Sequence, residues 1–226
     1  MTSRVPFLFL TSPRCGSTML RLALSKHPSI QIHYYCIAHP TKPRTTHEEW
    51  VAFQETTTDS HLCTFLFRQD TVAREQCPDP KRFWEMMRDR HDRYLCLYRK
   101  NVLRQCLSNR VGAHPGGREC ESPRGHQPDP MNLCLPYLRF FVKQMNTMLR
   151  DFDSILPGRL TISYETLTTD WRGTTQRIEE YLGLPALDLP VLTHRQETRP
   201  LREAISNYDE VAACVTDLGH PEWLKE

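Results

Sequence analysis

Short apolar runs alternate with stretches of helical periodicity along the chain, which predicts a three-layer α/β fold with a mostly parallel central sheet and helices on both faces. Three observations carry that expectation. Strand-length apolar runs recur at Val5–Leu10, Ser29–Cys36, Leu62–Phe67, Tyr94–Tyr98 and Leu160–Tyr164. Helical patterns fill the intervals, as the crossovers between parallel strands require. The best of them starts near Met131, carries Leu138, Phe141, Val142, Met145, Met148, Leu149 and Phe152 at helical spacings, and stops at Pro157-Gly158. With 226 residues, no internal repeat and no break in composition, one domain spanning 1–226 is expected.

Taken in order, the elements have local reasons. Phe7–Leu10 reads as a buried strand, Thr11–Gly16 as a tight turn, and Ser17 onward as a helix with Met19, Leu20, Ala23 and Leu24 on its apolar face. Asp79-Pro80 opens a helix as N-cap and first-turn proline, followed by Phe83, Met86, Met87 and Arg90. Tyr94–Arg110, YLCLYRKNVLRQCLSNR, is a strand running into a helix. Two segments read as loops: His39–His47, rich in proline and threonine, and Gly112–Pro130, which contains His114 and His126 and is long enough to serve as a lid over an acceptor site.

Composition narrows the function classes. A formal net charge of +2 implies neither a broad nucleic-acid footprint nor a polybasic membrane patch. Only 6 of the 29 cations are lysine, a bias too general to mark a site, so only arginines within motifs count. The nine cysteines are odd in number and form no Cys-x-x-Cys pair, which argues against a disulfide framework or a zinc site and for free thiols in a reducing compartment. No metal is implied. No apolar run approaches the roughly 18 residues that span a membrane, so a soluble cytoplasmic protein is expected.

The candidate site begins at Phe7–Leu22, FLFLTSPRCGSTMLRL. A glycine-containing loop that feeds a helix N-terminus directs backbone N–H groups and the positive end of the helix dipole at one spot, which suits phosphate or sulfate. Arg14, Ser17 and Thr18 add a fixed cation and two hydroxyls. A Walker A loop is disfavoured, because its first glycine and its lysine are missing. Cys15 and Arg21 have the Cys-x5-Arg spacing of phosphatases, although Arg21 falls inside an apolar helical run. In a third reading, Ser-Pro-Arg-Cys-Gly-Ser-Thr-Met-Leu resembles the 5′-phosphosulfate loop of sulfotransferases that use 3′-phosphoadenosine 5′-phosphosulfate (PAPS), with Cys15 where a serine is usual.

Three further segments resemble the same family in the family's order. Tyr94–Arg110 is similar to its 3′-phosphate segment, with Arg99 and Ser108 matching the arginine and serine that grip that phosphate, and Lys100 eligible one position on. Leu160–Pro185 resembles the strand, Tyr-Glu-x-Leu turn and helix that bring a tyrosine near the adenine, here Tyr164. Arg199–Val211, RPLREAISNYDEV, is similar to the C-terminal segment of bacterial-type members that closes over the nucleotide, with Arg199 and Arg202 as its cations. The resemblance implies a P-loop-NTPase-like fold and transfer of a sulfuryl group from PAPS to a small-molecule or glycan acceptor, leaving adenosine 3′,5′-bisphosphate. Arg14, Cys15, Gly16, Ser17 and Thr18 would then cradle the departing phosphate electrostatically. An inactive nucleotide-binding relative remains the other reading.

The general base is where the chain departs from the family. Many bacterial-type members place a glutamate after the second strand, and Tyr35 stands at that position in HPSIQIHYYCIAH. Strand alternation sets Gln31, His33 and Tyr35 on one face. His33, whose ordinary pKa of about 6.5 suits proton removal at neutral pH, is the candidate catalytic base beside Arg14; the alternatives are His39, Glu48, or no protein base, with an acceptor that ionises easily, such as a phenol, or a protein without activity. Acceptor identity and oligomeric state are not legible in the chain.

Overall fold

A computed structural model describes residues 5–34, 61–67, 80–113, 129–193 and 199–225. All five expected strands are present: β1 (Phe7–Thr11), β2 (Ile30–Tyr34), β3 (His61–Phe67), β4 (Arg93–Tyr98) and β5 (Leu160–Ser163). They form one sheet in the order β2-β3-β1-β4-β5, and every pairing is parallel. The described helices are α1 (Ser17–Leu24), α2 (Pro80–Asp89), α3 (Val102–Ala113), α4 (Leu135–Ile155), α5 (Tyr164–Thr169), α6 (Trp171–Leu182), α7 (Leu201–Ala204) and α8 (Tyr208–Asp217). A 3-10 turn, Pro221–Leu224, follows α8. Among the described residues, no helix is long and apolar enough to cross a membrane.

The chain groups into two compact units, Met1–Tyr98 with Asp151–Leu192, and Arg99–Arg150 with Thr193–Glu226. In the first, Phe7, Phe9, Leu95, Leu97 and Ile162 line one face of the sheet and pack with Leu20, Ala23 and Leu24 of α1 and Ile178 and Leu182 of α6. Each of the Phe, Leu and Ile side chains contributes about 1.5–3 kcal/mol on burial. Leu8, Leu10 and Cys96, which point the other way, are equally buried. Strand segments covered on both faces are near-continuously apolar, which is why Phe7–Leu10 of β1 and Leu95–Leu97 of β4 read as unbroken runs. Helix α6 ends in a Schellman motif: Gly183 takes φ 73°, and the Leu184 N–H donates to the Glu179 carbonyl at 2.8 Å. The buried Glu179 carboxylate then accepts the Leu187 N–H on both oxygens at 3.2 Å, and burial pushes its pKa up.

In the second unit, α3 and α4 contribute Leu103, Leu107, Leu138, Phe141 and Met145 to the buried set, and α7, α8 and the 3-10 turn contribute Leu201, Val211, Val215 and Trp223. Helix α4 starts at Leu135 rather than near Met131. Pro136 has no N–H to donate to the carbonyl of residue 132, so a helix begun earlier would lose a bond and meet the proline ring. The backbone there pairs elsewhere instead: Met131 bridges Ile205, and the Asn207 amide both donates to the Leu133 carbonyl (3.1 Å) and accepts from the Leu133 N–H (2.9 Å). Two smaller corrections follow. Tyr164 opens helix α5 instead of ending a strand, because Ser163 caps it, and Gly112 and Ala113 belong to α3 rather than to the loop after it.

His91, just after α2, is 3% exposed, and its Nδ1–H donates to the Met87 carbonyl at 2.7 Å. Burial lowers its pKa from 6.5 to about 4. The unfolded chain therefore binds the proton more readily than the native state, so stability is lost as pH falls from about 6.5 to about 4, on the order of 3 kcal/mol in all. Urea titrations at several pH values should show this loss. It should be reduced in His91→Asn, whose amide keeps a donor for Met87 but does not titrate; an unchanged pH slope would exclude His91 as the source.

Candidate functional site

In this strand order the connection from β1 leads toward one edge of the sheet and that from β4 toward the other, while Thr11 and Leu97 lie side by side. Ligands of open parallel sheets bind outside the strand ends at such a switch point. The loop after β1 sits there. Its backbone is special at two places: Arg14 has φ 61°, the one positive value at a non-glycine among the described residues, and Gly16 has φ 84°. A non-glycine residue in this region stores strain that is commonly found at functional sites.

Gly16 is the N-cap of α1: its carbonyl accepts from Leu20 N–H at 3.1 Å, and no side chain caps the helix. The first-turn amides of Ser17, Thr18 and Met19 have no acceptor within the helix and lie at its positive end, with no acidic residue in that turn. Thr18 is exposed and Ser17 is buried. A helix N-terminus of this kind presents backbone donors and a positive dipole end, features that suit an anionic oxygen group.

Cys15 is fully buried. Its sulfur lies 2.6 Å from Thr11 Oγ1, 2.8 Å from the Ser12 carbonyl oxygen and 3.5 Å from that of Leu97. Burial pushes the thiol pKa up, against weaker opposing hydrogen bonds from Thr11, Ser12 and Ser17. A phosphatase of the Cys-x5-Arg type needs an ionised thiolate open to its substrate. Here the thiol faces the strands, and Arg21 belongs to the body of α1, so that alternative lacks its nucleophile.

Tyr164 comes to the same loop. Ser163 accepts the Thr166 N–H and so turns the chain from β5 into α5, with Tyr164 as first helical residue. Its ring lies against Gly16 so closely that a Cβ at Gly16 would stand 2.6 Å from Cδ2 and 3.0 Å from Cε2. Glycine is needed here for its conformation and for this approach.

In the second unit, Arg99 is buried, Lys100 is exposed and Ser108 is half-buried on α3. Arg202 is directed to the surface, with Nη1 3.3 Å from Asp209 and its guanidinium 4.5 Å from the Tyr208 ring centre. Two residues not anticipated from the sequence are prominent. Asn101 caps α3 by accepting the Arg104 N–H at 2.9 Å and donates to the Trp223 carbonyl at 2.9 Å. Arg104 is buried and donates to the Arg199 carbonyl at 2.7 Å. An asparagine before an apolar helical run is a cap signal that was available; nothing local marks Arg104.

His33 lies in β2 with its backbone in register with Thr64. Tyr35, His39, Glu48, His114 and His126 lie outside the described residues.

A crystal structure of a sulfotransferase from Alicyclobacillus acidocaldarius is similar to this chain with a TM-score of 0.55 at 15% sequence identity, over 98% of this chain and 99% of that one. A crystal structure of mouse sulfotransferase SULT7A1 complexed with PAP matches with a TM-score of 0.45 at 11% identity, over 81% of this chain and 60% of that chain. No family model matches the chain, and no curated protein matches it by sequence. The first likeness shows that the chain has the fold of a sulfotransferase.

Proposed function

We propose that this protein is a PAPS-dependent sulfotransferase acting on a hydroxyl or other nucleophilic group of a small-molecule or glycan acceptor. The observation that carries the reading is the loop after β1: left-handed Arg14 and Gly16 frame an uncapped helix N-terminus, and the Tyr164 ring closes on Gly16. Bound PAPS supplies a sulfuryl group attached to a phosphate leaving group. The Gly16, Ser17 and Thr18 amides and the two hydroxyls would hold the 5′ oxygens, and Arg14 would offset the charge that grows on the departing phosphate. Tyr164 would orient the adenine. Arg99 and Ser108 would hold the 3′-phosphate, with Arg199 and Arg202 as further cations, and His33 would take the acceptor proton.

Calorimetry tests the nucleotide assignment directly. Charge-assisted hydrogen bonds are worth roughly 1.5–3 kcal/mol, so adenosine 3′,5′-bisphosphate should bind about 10–100-fold more tightly than AMP. Equal affinities, or none for either, would remove the assignment. Discrimination without transfer from PAPS to any phenol or sugar acceptor would make the protein a nucleotide-binding module instead.

A further inference from the structure

We infer that Arg104 is a positioning residue that fixes the backbone of Arg199 against the Ser108 face of α3 and thereby sets nucleotide affinity. This rests on the nucleotide reading above. Arg104 and Ser108 are four residues apart, so both leave one face of α3, one above the other. The Arg104 guanidinium crosses to a residue 95 positions away, donating to the Arg199 carbonyl at 2.7 Å. A donor that carries charge makes a bond roughly twice as strong as a neutral one.

Both ends of this contact are held. On the α3 side, the Asn101 side chain accepts the Arg104 N–H and donates to the Trp223 carbonyl, each at 2.9 Å. On the other side, Met131 N–H donates to the Ala204 carbonyl at 2.9 Å and Ser206 N–H donates to the Met131 carbonyl at 3.1 Å, which anchors the short α7 that Arg199 precedes. The Arg199 carbonyl is thus tied to the helix that carries Ser108. Burying a guanidinium is costly, and an apolar side chain of similar length would fill the space without that cost. What arginine adds at position 104 is a directed donor, at only 7% exposure.

The test is a double-mutant cycle read by calorimetry with adenosine 3′,5′-bisphosphate on the full chain. Arg104→Met and Arg199→Ala should each weaken binding by about tenfold or more, and the double variant should be no weaker than the worse single variant by more than about twofold. A general loss of structural integrity would instead multiply the two effects. Additive losses, or parental affinity in Arg104→Met, would overturn the inference while leaving the nucleotide reading intact; a parent that does not bind the nucleotide would overturn both. Should Arg104→Met not fold, hydrogen exchange on the parent decides. The nucleotide should then protect the amides of Glu203 to Ser206 together with those of α3, and protection confined to α3 would refute the coupling.

Discussion

Gly16→Ala is expected to destabilise the protein by about 2–5 kcal/mol and to abolish binding of adenosine 3′,5′-bisphosphate. Two independent effects add. An L-residue at φ 84° pays roughly 1–2 kcal/mol for the left-handed conformation. The new methyl group would also stand 2.6 Å from Tyr164 Cδ2, far inside van der Waals contact, and overpacking of this kind costs about 1–3 kcal/mol. The Tyr164 backbone is held where it opens a helix capped by Ser163, so relief has to come from rotation of the ring out of its packed position. Urea denaturation separates the two contributions. In a Tyr164→Ala background the same substitution should cost only the conformational part, about 1–2 kcal/mol. If Gly16→Ala is as stable as the parent, the loop does not hold the conformation on which the site depends.

That loop was legible because its signals are local: a buried strand, a turn with glycine, then helical periodicity, all within Phe7–Leu22. The strands were legible for a related reason. Leu8 and Phe9 are both fully buried although they point to opposite faces, so the run Phe7–Leu10 within β1 is apolar at every position. What escaped the sequence depends on partners far along the chain. Met131 to Leu133 have helical periodicity, yet their backbone groups pair with Ala204 to Asn207, and the proline at 136 decides the matter. Arg104 resembles any helical arginine until Arg199 is brought to it from 95 residues away. Cys15 shows the opposite limit: its spacing to Arg21 fitted a phosphatase, and only the direction of the thiol, into the strands beside Leu97, separates the two chemistries.

Arg14→Ala should lower turnover by about 10²–10³-fold in a coupled assay of transfer from PAPS to a phenol, with a smaller effect on adenosine 3′,5′-bisphosphate affinity. The asymmetry follows from where the charge develops. A preorganised donor aimed at the leaving group is worth more in the transition state than in the ground state, and removing one such donor elsewhere costs about 10²–10³ in rate. Arg14 is suited to this role because its backbone is already held at φ 61°, so the side chain starts from a fixed point beside the first turn of α1. Alanine at this position keeps the backbone requirement and loses the charge. His33→Ala provides the comparison within the same assay: as a general base it should cost about 10²-fold in turnover with nucleotide affinity unchanged. The two losses also differ in acceptor dependence. A more acidic phenol needs less help in losing its proton, so it should recover much of the His33→Ala defect and little of the Arg14→Ala defect. Parental turnover in Arg14→Ala would mean that the loop binds an anion without stabilising the charge that forms as the sulfuryl group leaves.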